Sequence, residues 1–171
     1  MAMNPRMSAA EIIEEPLLIQ ARGNSQQRRV RAAELMEQVA VSPDWLDRHI
    51  TEFSGGQRQR IAIARALALA PKFLVLDEAL SGLDLSTQSE ITSLLRQLQA
   101  KHLLTYLLIS HDLGLVARMA DQVAIMAAGR IVEQGPTRSI VSHPARPETQ
   151  ELVAAAARFQ AAFAKAQGAP A

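Results

Sequence analysis

Phe73-Leu74-Val75-Leu76-Asp77-Glu78 sets four apolar residues directly against two carboxylates. A short apolar run with a polar boundary predicts a buried strand. Carboxylates at its end fall on the carboxyl edge of a sheet, where open α/β sheets place their ligands. Period-2 geometry sends the two side chains to opposite faces, which suits two separate tasks. Asp77 can hold Mg2+, directly or through water, and Glu78 can orient and deprotonate an attacking water. Taken alone, the pair could equally be two acids that solvate a strand end.

Outward from this stretch, helical and strand patterns alternate. A helix over 57–69 precedes the strand over 73–76. A helix over 86–100 leads to a strand over 104–109, and a short helix over 113–119 to a strand over 122–126. Gly129 turns that strand toward another over 130–133. Such alternation predicts a parallel sheet covered on both faces. Upstream the chain is helical and polar. Ser8 with Glu11 makes a capping box before Ile12, Ile13 and Leu17, and Pro16 is expected to kink or end that helix. A second helix from Ser25 sets Val30, Ala33, Met36 and Val39 on one face. A last helix over 147–165 spaces Leu152, Ala156, Phe159 and Phe163 at helical intervals. Trp45, after Ser42-Pro43-Asp44, reads as the packing of a short helical turn.

Two further strings carry chemistry. In Phe53-Ser54-Gly55-Gly56-Gln57, Ser54 can cap the following helix, and the two glycines let a phosphate approach the bare N–H groups at its positive end. An isolated string of this kind is most often an ordinary capped turn. Ile109-Ser110-His111-Asp112 ends the next predicted strand, where His111 would lie near a bound phosphate and could contact or position it. His49, His102 and His143 are read as structural hydrogen-bonding groups.

Composition bounds the rest. The 171 residues are 49% hydrophobic, enough for a core, which excludes disorder and collagen-like structure. Lys+Arg number 18 against 17 Asp+Glu, a net charge of +1, which gives no footprint for gripping nucleic acid or an anionic membrane broadly, so any basic site is expected to be local. The absence of cysteine excludes disulfides, thiolate zinc sites and cysteine nucleophiles. Residues 1–6 do not read as a secretory signal, and no apolar run approaches the roughly 20 residues that span a bilayer. Lys72, Lys101 and Lys165 follow Pro71, Ala100 and Ala164, so the Gly-Lys pair of a phosphate-binding P-loop is not in this sequence.

In their order along the chain, these strings resemble the C-terminal part of an ABC-type ATPase. Residues 53–57 are similar to the signature motif, 73–78 to the Walker B strand, Ser81-Gly82-Leu83-Asp84 to the D-loop, and His111 to the switch histidine. The flanks Asn4-Pro5-Arg6-Met7, Glu11-Ile12-Ile13, Gln57-Arg58-Gln59-Arg60-Ile61-Ala62, Gly129-Arg130-Ile131-Val132-Glu133 and His143-Pro144 are similar to the ATPase subunits of oligopeptide, dipeptide and nickel importers. Arg146-Pro147-Glu148-Thr149 stands where that subfamily usually carries a second His-Pro-Tyr-Thr string.

The resemblance implies an α/β fold. It would be a partial P-loop NTPase domain, with a parallel sheet flanked by helices and a helical signature subdomain, lacking the P-loop strand. It divides the chain into a helical subdomain (1–56), the C-terminal part of the ATPase core (57–142) and a helical extension (143–171). A gap is expected in the sheet between the strand that leads to His111 and the strand at 123–126. In this family two subunits sandwich two ATP molecules head to tail. Ser54, Gly55, Gly56, Gln57 and Asp84 are thus implied to bind nucleotide, Asp77 to hold Mg2+, and Glu78 and His111 to be catalytic.

The implied partners are a second ABC ATPase subunit and transmembrane permease subunits. The protein would then be cytoplasmic and peripheral on the inner face of the membrane. The match begins beyond the usual Q-loop glutamine, so a P-loop has to be supplied elsewhere and the chain alone is expected to be inactive. Two other readings share the motifs. One is a non-catalytic module that completes a composite site or docks on a membrane subunit. The other is a soluble ABC-type ATPase half acting on nucleic acid, against which the near-zero charge and the lack of a long heptad pattern count.

Overall fold

The computed structural model describes residues 3–166, with side chains as far as residue 158. They form two compact units, Met1–Leu107 and Leu108–Ala171. In the first unit, α1 (Ala9–Ile19), α2 (Ser25–Gln38) and α3 (Gly55–Leu67) pack on one another. Each starts on a reciprocal capping box, formed by Ser8 with Glu11, Asn24 with Gln27 and Ser54 with Gln57. These side chains satisfy amide donors that a helix start leaves without partners. Between α2 and α3 lie two 3₁₀ turns, Pro43–Trp45 and Ile50–Glu52. The start of α1 is stitched to this connection by Ala9 N–H to Arg48 O at 3.0 Å and Ile50 N–H to Met7 O at 3.1 Å.

The shared core includes Ile12, Ile13, Leu35, Met36 and Ile61, all fully buried. Each such side chain is worth roughly 1.5–3 kcal/mol. Of the two outcomes expected for Pro16, a kink or an end, the end does not occur: α1 continues to Ile19 with Gln20 N–H bonded to Pro16 O at 3.2 Å. Proline removes one donor, and the buried Leu17 holds the last turn in place. In α2 the buried face is Ala32, Leu35, Met36 and Val39, whereas Val30 is exposed. Met36 and Val39 of the expected stripe are buried, and packing against α1 and α3 brings in Ala32 and Leu35 in place of Val30.

β1 (Phe73–Asp77) is followed by the crossover helix α4 (Leu85–His102) and by β2 (Thr105–Ile109). The two strands form a small parallel sheet. In β1 only Leu74 and Leu76 are buried, while Phe73 and Val75 are 53% and 50% exposed. The prediction of a strand covered on both faces is therefore not met. α1, α2 and α4 each hand over to a non-glycine residue at positive φ, Ala21, Ala40 and Leu103, as does α3 shortly beyond its end at Ala70. At Ala21 and Ala40 paired bonds close a left-handed cap. Arg22 N–H reaches Leu17 O and Ala21 N–H reaches Leu18 O, while Val41 N–H reaches Met36 O and Ala40 N–H reaches Glu37 O.

The second unit holds α5 (Leu113–Met119), β3 (Gln122–Ala127), β4 (Arg130–Pro136), α6 (Thr137–Ser142) and α7 (Pro147–Ala166). β3 and β4 pair with each other as an antiparallel hairpin. The reason is the two-residue turn, in which Ala128 and Gly129 take φ 47° and 74°, the double left-handed geometry of a tight hairpin. Among the described residues the strands thus form two two-stranded sheets, and the break between β2 and β3 falls where the gap in the sheet was expected. α5 packs on α6 and α7, and its Leu113, Leu115 and Val116 are buried. The Glu133 carboxylate of β4 accepts the Ala145 and Arg146 amides at 3.0 and 3.2 Å, fastening the start of α7. Phe159 and Phe163 of the predicted α7 face have side chains outside the described residues.

Candidate functional site

The string at 53–57 is built on an aromatic anchor. Phe53 is buried and meets the Trp45 ring edge-on at 6.2 Å between centroids, and the Arg48 guanidinium lies 4.4 Å above Trp45. Ser54, the next residue, caps α3. Its hydroxyl accepts from Gln57 N–H at 3.3 Å, and Gln57 Oε1 accepts from Ser54 N–H at 3.0 Å. Arg58 Nη1 donates to Phe53 O at 2.7 Å. Ser54 and Gly55 are exposed at the positive end of the helix.

The two glycines have different reasons. A Cβ at Gly55 would only touch Leu83 Cδ2, at 3.9 Å. At Gly56 it would sit 2.7 Å from Thr87 Cγ2, well inside contact distance. Gly56 is thus demanded by the first turn of α4, whatever a phosphate requires.

At the end of β1, Asp77 is exposed. Glu78 lies beyond the strand and takes a left-handed φ of 46°. Strand alternation does not extend to it, so the argument that sent the two carboxylates to opposite faces does not hold. The chain then turns back on itself: Ser81 donates to Glu78 O through its N–H at 3.1 Å and its hydroxyl at 2.7 Å. Leu80 anchors this turn in the core, and Gly82 supplies φ 73°. Asp84 caps α4 by accepting Thr87 N–H at 2.9 Å and Thr87 Oγ1 at 2.7 Å. Those bonds, the amide first, hold its carboxyl below the usual carboxylate range.

Ser54–Gln57, Asp77, Glu78 and Asp84 all belong to the first unit. Within it, the starts of α3 and α4 bring the first string against the loop that ends at Asp84. His111 belongs to the second unit and is exposed. Beside it Ser110 Oγ accepts Asp112 N–H at 3.0 Å, and Asp112 caps α5 through Leu115 N–H at 3.0 Å. Among the other histidines, His102 Nε2 lies 2.9 Å from Gln38 Oε1. Thr87 is the residue that sequence reading missed. Its position three residues after Asp84, in an Asp-x-x-Thr pattern at a helix start, is the signal that could have found it.

Among the described residues no three His, Asp or Glu side chains gather into a metal cage. Mg2+ does not need one, since it keeps several waters and takes one or two carboxylates together with phosphate oxygens. The exposed carboxylate of Asp77 fits that mode. No helix among the described residues is long and apolar enough to cross a membrane.

Residues 1–81 match the ABC transporter family model. The chain is 50% identical over 152 residues to the D,D-dipeptide transport ATP-binding protein DdpF of Escherichia coli (strain K12), a match covering 89% of this chain and 49% of the relative. It is 46% identical over 166 residues to the peptidoglycan transport ATP-binding protein YejF of Agrobacterium fabrum, covering 96% of this chain and 30% of that protein. The chain therefore spans about half the length, or less, of the curated relatives it matches. Among solved structures, an inward-facing metal-chelate type ABC transporter superposes with a TM-score of 0.73 at 28% identity, over 82% of this chain and 57% of that one. The dimeric bacterial ABC transporter cassette MJ0796 gives 0.68 at 30% identity, over 80% and 59%. Motif order, relatives and fold agree, and the chain belongs to the ABC transporter ATPase family.

Proposed function

We propose that this chain is the signature-bearing part of an ATP-binding subunit of a peptide importer, coupling ATP hydrolysis to transport when a P-loop completes its site. The observation that carries the reading is the capped start of α3. Ser54 and Gly55 stand exposed on a helix N-terminus that Gly56 holds against the Asp84 loop. Exposed amides at a helix start are suited to a phosphate. Ser54 and Gly56 would face the γ-phosphate of an ATP bound by a second subunit, with Gly55, Gln57 and Asp84 beside it. Asp77 would hold Mg2+, whose charge offsets that building on the transferred phosphoryl group. Glu78 would take the proton of the attacking water, and His111 would position the phosphate. The names of the relatives support a peptide cargo, and permease subunits would carry the assembly on the membrane.

The test is ATP hydrolysis by the purified chain, alone and mixed with a P-loop-bearing polypeptide of the family. Hydrolysis is expected only in the mixture and is expected to vanish with Glu78→Gln. Turnover by the chain alone, or turnover indifferent to Glu78→Gln, overturns the assignment.

A further inference from the structure

Thr87 sits at the meeting point of two strings that lie apart in the sequence. Its γ-methyl occupies the space where a side chain at Gly56 would begin, 2.7 Å from that Cβ position. Its hydroxyl donates to Asp84 Oδ2 at 2.7 Å, and its amide donates to Asp84 Oδ1 at 2.9 Å. A β-branched side chain in a helix has few χ1 settings. Here both branches are engaged, one on Gly56 and one on Asp84, so turning either away gives up the other.

Two more contacts tie the same pair of helices. Leu83 Cδ2 lies against Gly55. Arg60 of α3 pairs with Glu90 of α4 at 3.0 Å while its other nitrogen donates to Val39 O at the end of α2. The Leu83 contact ties the loop to Gly55 by packing alone and the Arg60 pair lies further along the helices, whereas Thr87 meets both the Gly56 position and the Asp84 carboxylate.

We infer that Thr87 is a positioning residue that locks the signature glycine to the Asp84 loop, so that a load placed on one by nucleotide is carried to the other. The functional half of this inference rests on the reading of 54–56 and Asp84 as nucleotide-facing. The mechanical half does not. Thr87→Val keeps the methyl on Gly56 and gives up the hydroxyl, whereas Thr87→Ser keeps the hydroxyl and gives up the methyl. Each therefore cuts one side of the link.

The first measurement is amide hydrogen exchange on the chain alone, with far-UV circular dichroism confirming that both variants keep their helices. A lock predicts that Thr87→Ser speeds exchange more than about threefold at Gln88, whose amide bonds Asp84 O, as well as at Gln57 and Arg58, whose amides bond Ser54, and that Thr87→Val does the same at both ends. Exchange that changes only at the end whose contact was cut overturns the link. The second measurement is ATPase kinetics in the mixture with the P-loop polypeptide. Both variants should lower kcat on the order of tenfold with the KM for ATP within about twofold, because misplacement costs the transition state while the P-loop still binds ATP. A raised KM with kcat intact, or wild-type kcat in both variants, overturns the positioning role. A wild-type mixture that does not turn over defeats the proposed function, and the exchange result on the chain alone still decides the link.

Discussion

Gly56→Ala adds a single methyl group, and the structure sets its cost. The new Cβ would lie 2.7 Å from Thr87 Cγ2, against the 3.4–4 Å of ordinary contact, so something must yield by roughly 0.7 Å or more. Thr87 cannot turn aside freely because its hydroxyl is committed to Asp84 at 2.7 Å. Overpacking of this kind costs about 1–3 kcal/mol. Alanine recovers up to ~1 kcal/mol of helix propensity over glycine, and less in a first turn. The net expectation is a loss of about 1–2 kcal/mol, or on the order of 5–10 °C in Tm for a unit of this size.

Trp45, the only tryptophan, lies in the same unit and meets Phe53 edge-on, so its fluorescence in a urea titration reports the change directly. The diagnostic variant is the double one. Thr87→Ser removes the opposing methyl, so Gly56→Ala placed in that background should cost less than about 0.5 kcal/mol. Strict additivity of the two substitutions, or a Gly56→Ala variant as stable as the parent, would refute the steric account.

Two further outcomes follow from charge placement. The folded pKa of Asp84 is depressed, so its contribution to stability is present above the unfolded value near about 3.9 and disappears as pH falls through the lower folded value. Between about pH 6 and about pH 3 the parent should therefore lose stability more steeply than Asp84→Asn, measured by Trp45 fluorescence, and parallel curves would exclude the carboxylate as the cause. In the second unit, Glu133→Ala should speed hydrogen exchange at Ala145 and Arg146 without touching α1, whereas unchanged protection there would show that α7 is held by packing alone.

The elements of the fold were largely legible, because alternation of apolar strands with amphipathic helices is a local signal. The capping box at Ser8 and the cap at Ser54 were legible for the same reason, although the return bond from Gln57 to Ser54 was not read. What sequence could not supply was decided at longer range. The choice between Val30 and Leu35 as the inward face of α2 depends on α1 and α3. The β3–β4 hairpin was legible from Gly129, but not that Ala128 would share its left-handed turn, which the side chain of Ala128 disfavours. In the candidate site, the four motifs announced themselves in order. The reason Gly56 must be glycine lay in a threonine on another helix, and the left-handed Glu78 broke the simple alternation that had assigned the carboxylates to opposite faces.

The alanines at the helix ends bear on how the first unit holds together. Alanine is the best helix former and carries no local instruction to stop. Yet Ala21 and Ala40 sit where glycine is the common choice, each at a left-handed cost of roughly 1–2 kcal/mol. Cut free of their neighbours, α1 and α2 would therefore tend to run on through these positions. Their lengths are imposed by the assembled unit, through the chain reversal that packing requires and the paired bonds that close it. Helix termination here is a collective property, so the ends of α1 and α2 should become defined only as the core around Ile13, Leu35 and Ile61 closes.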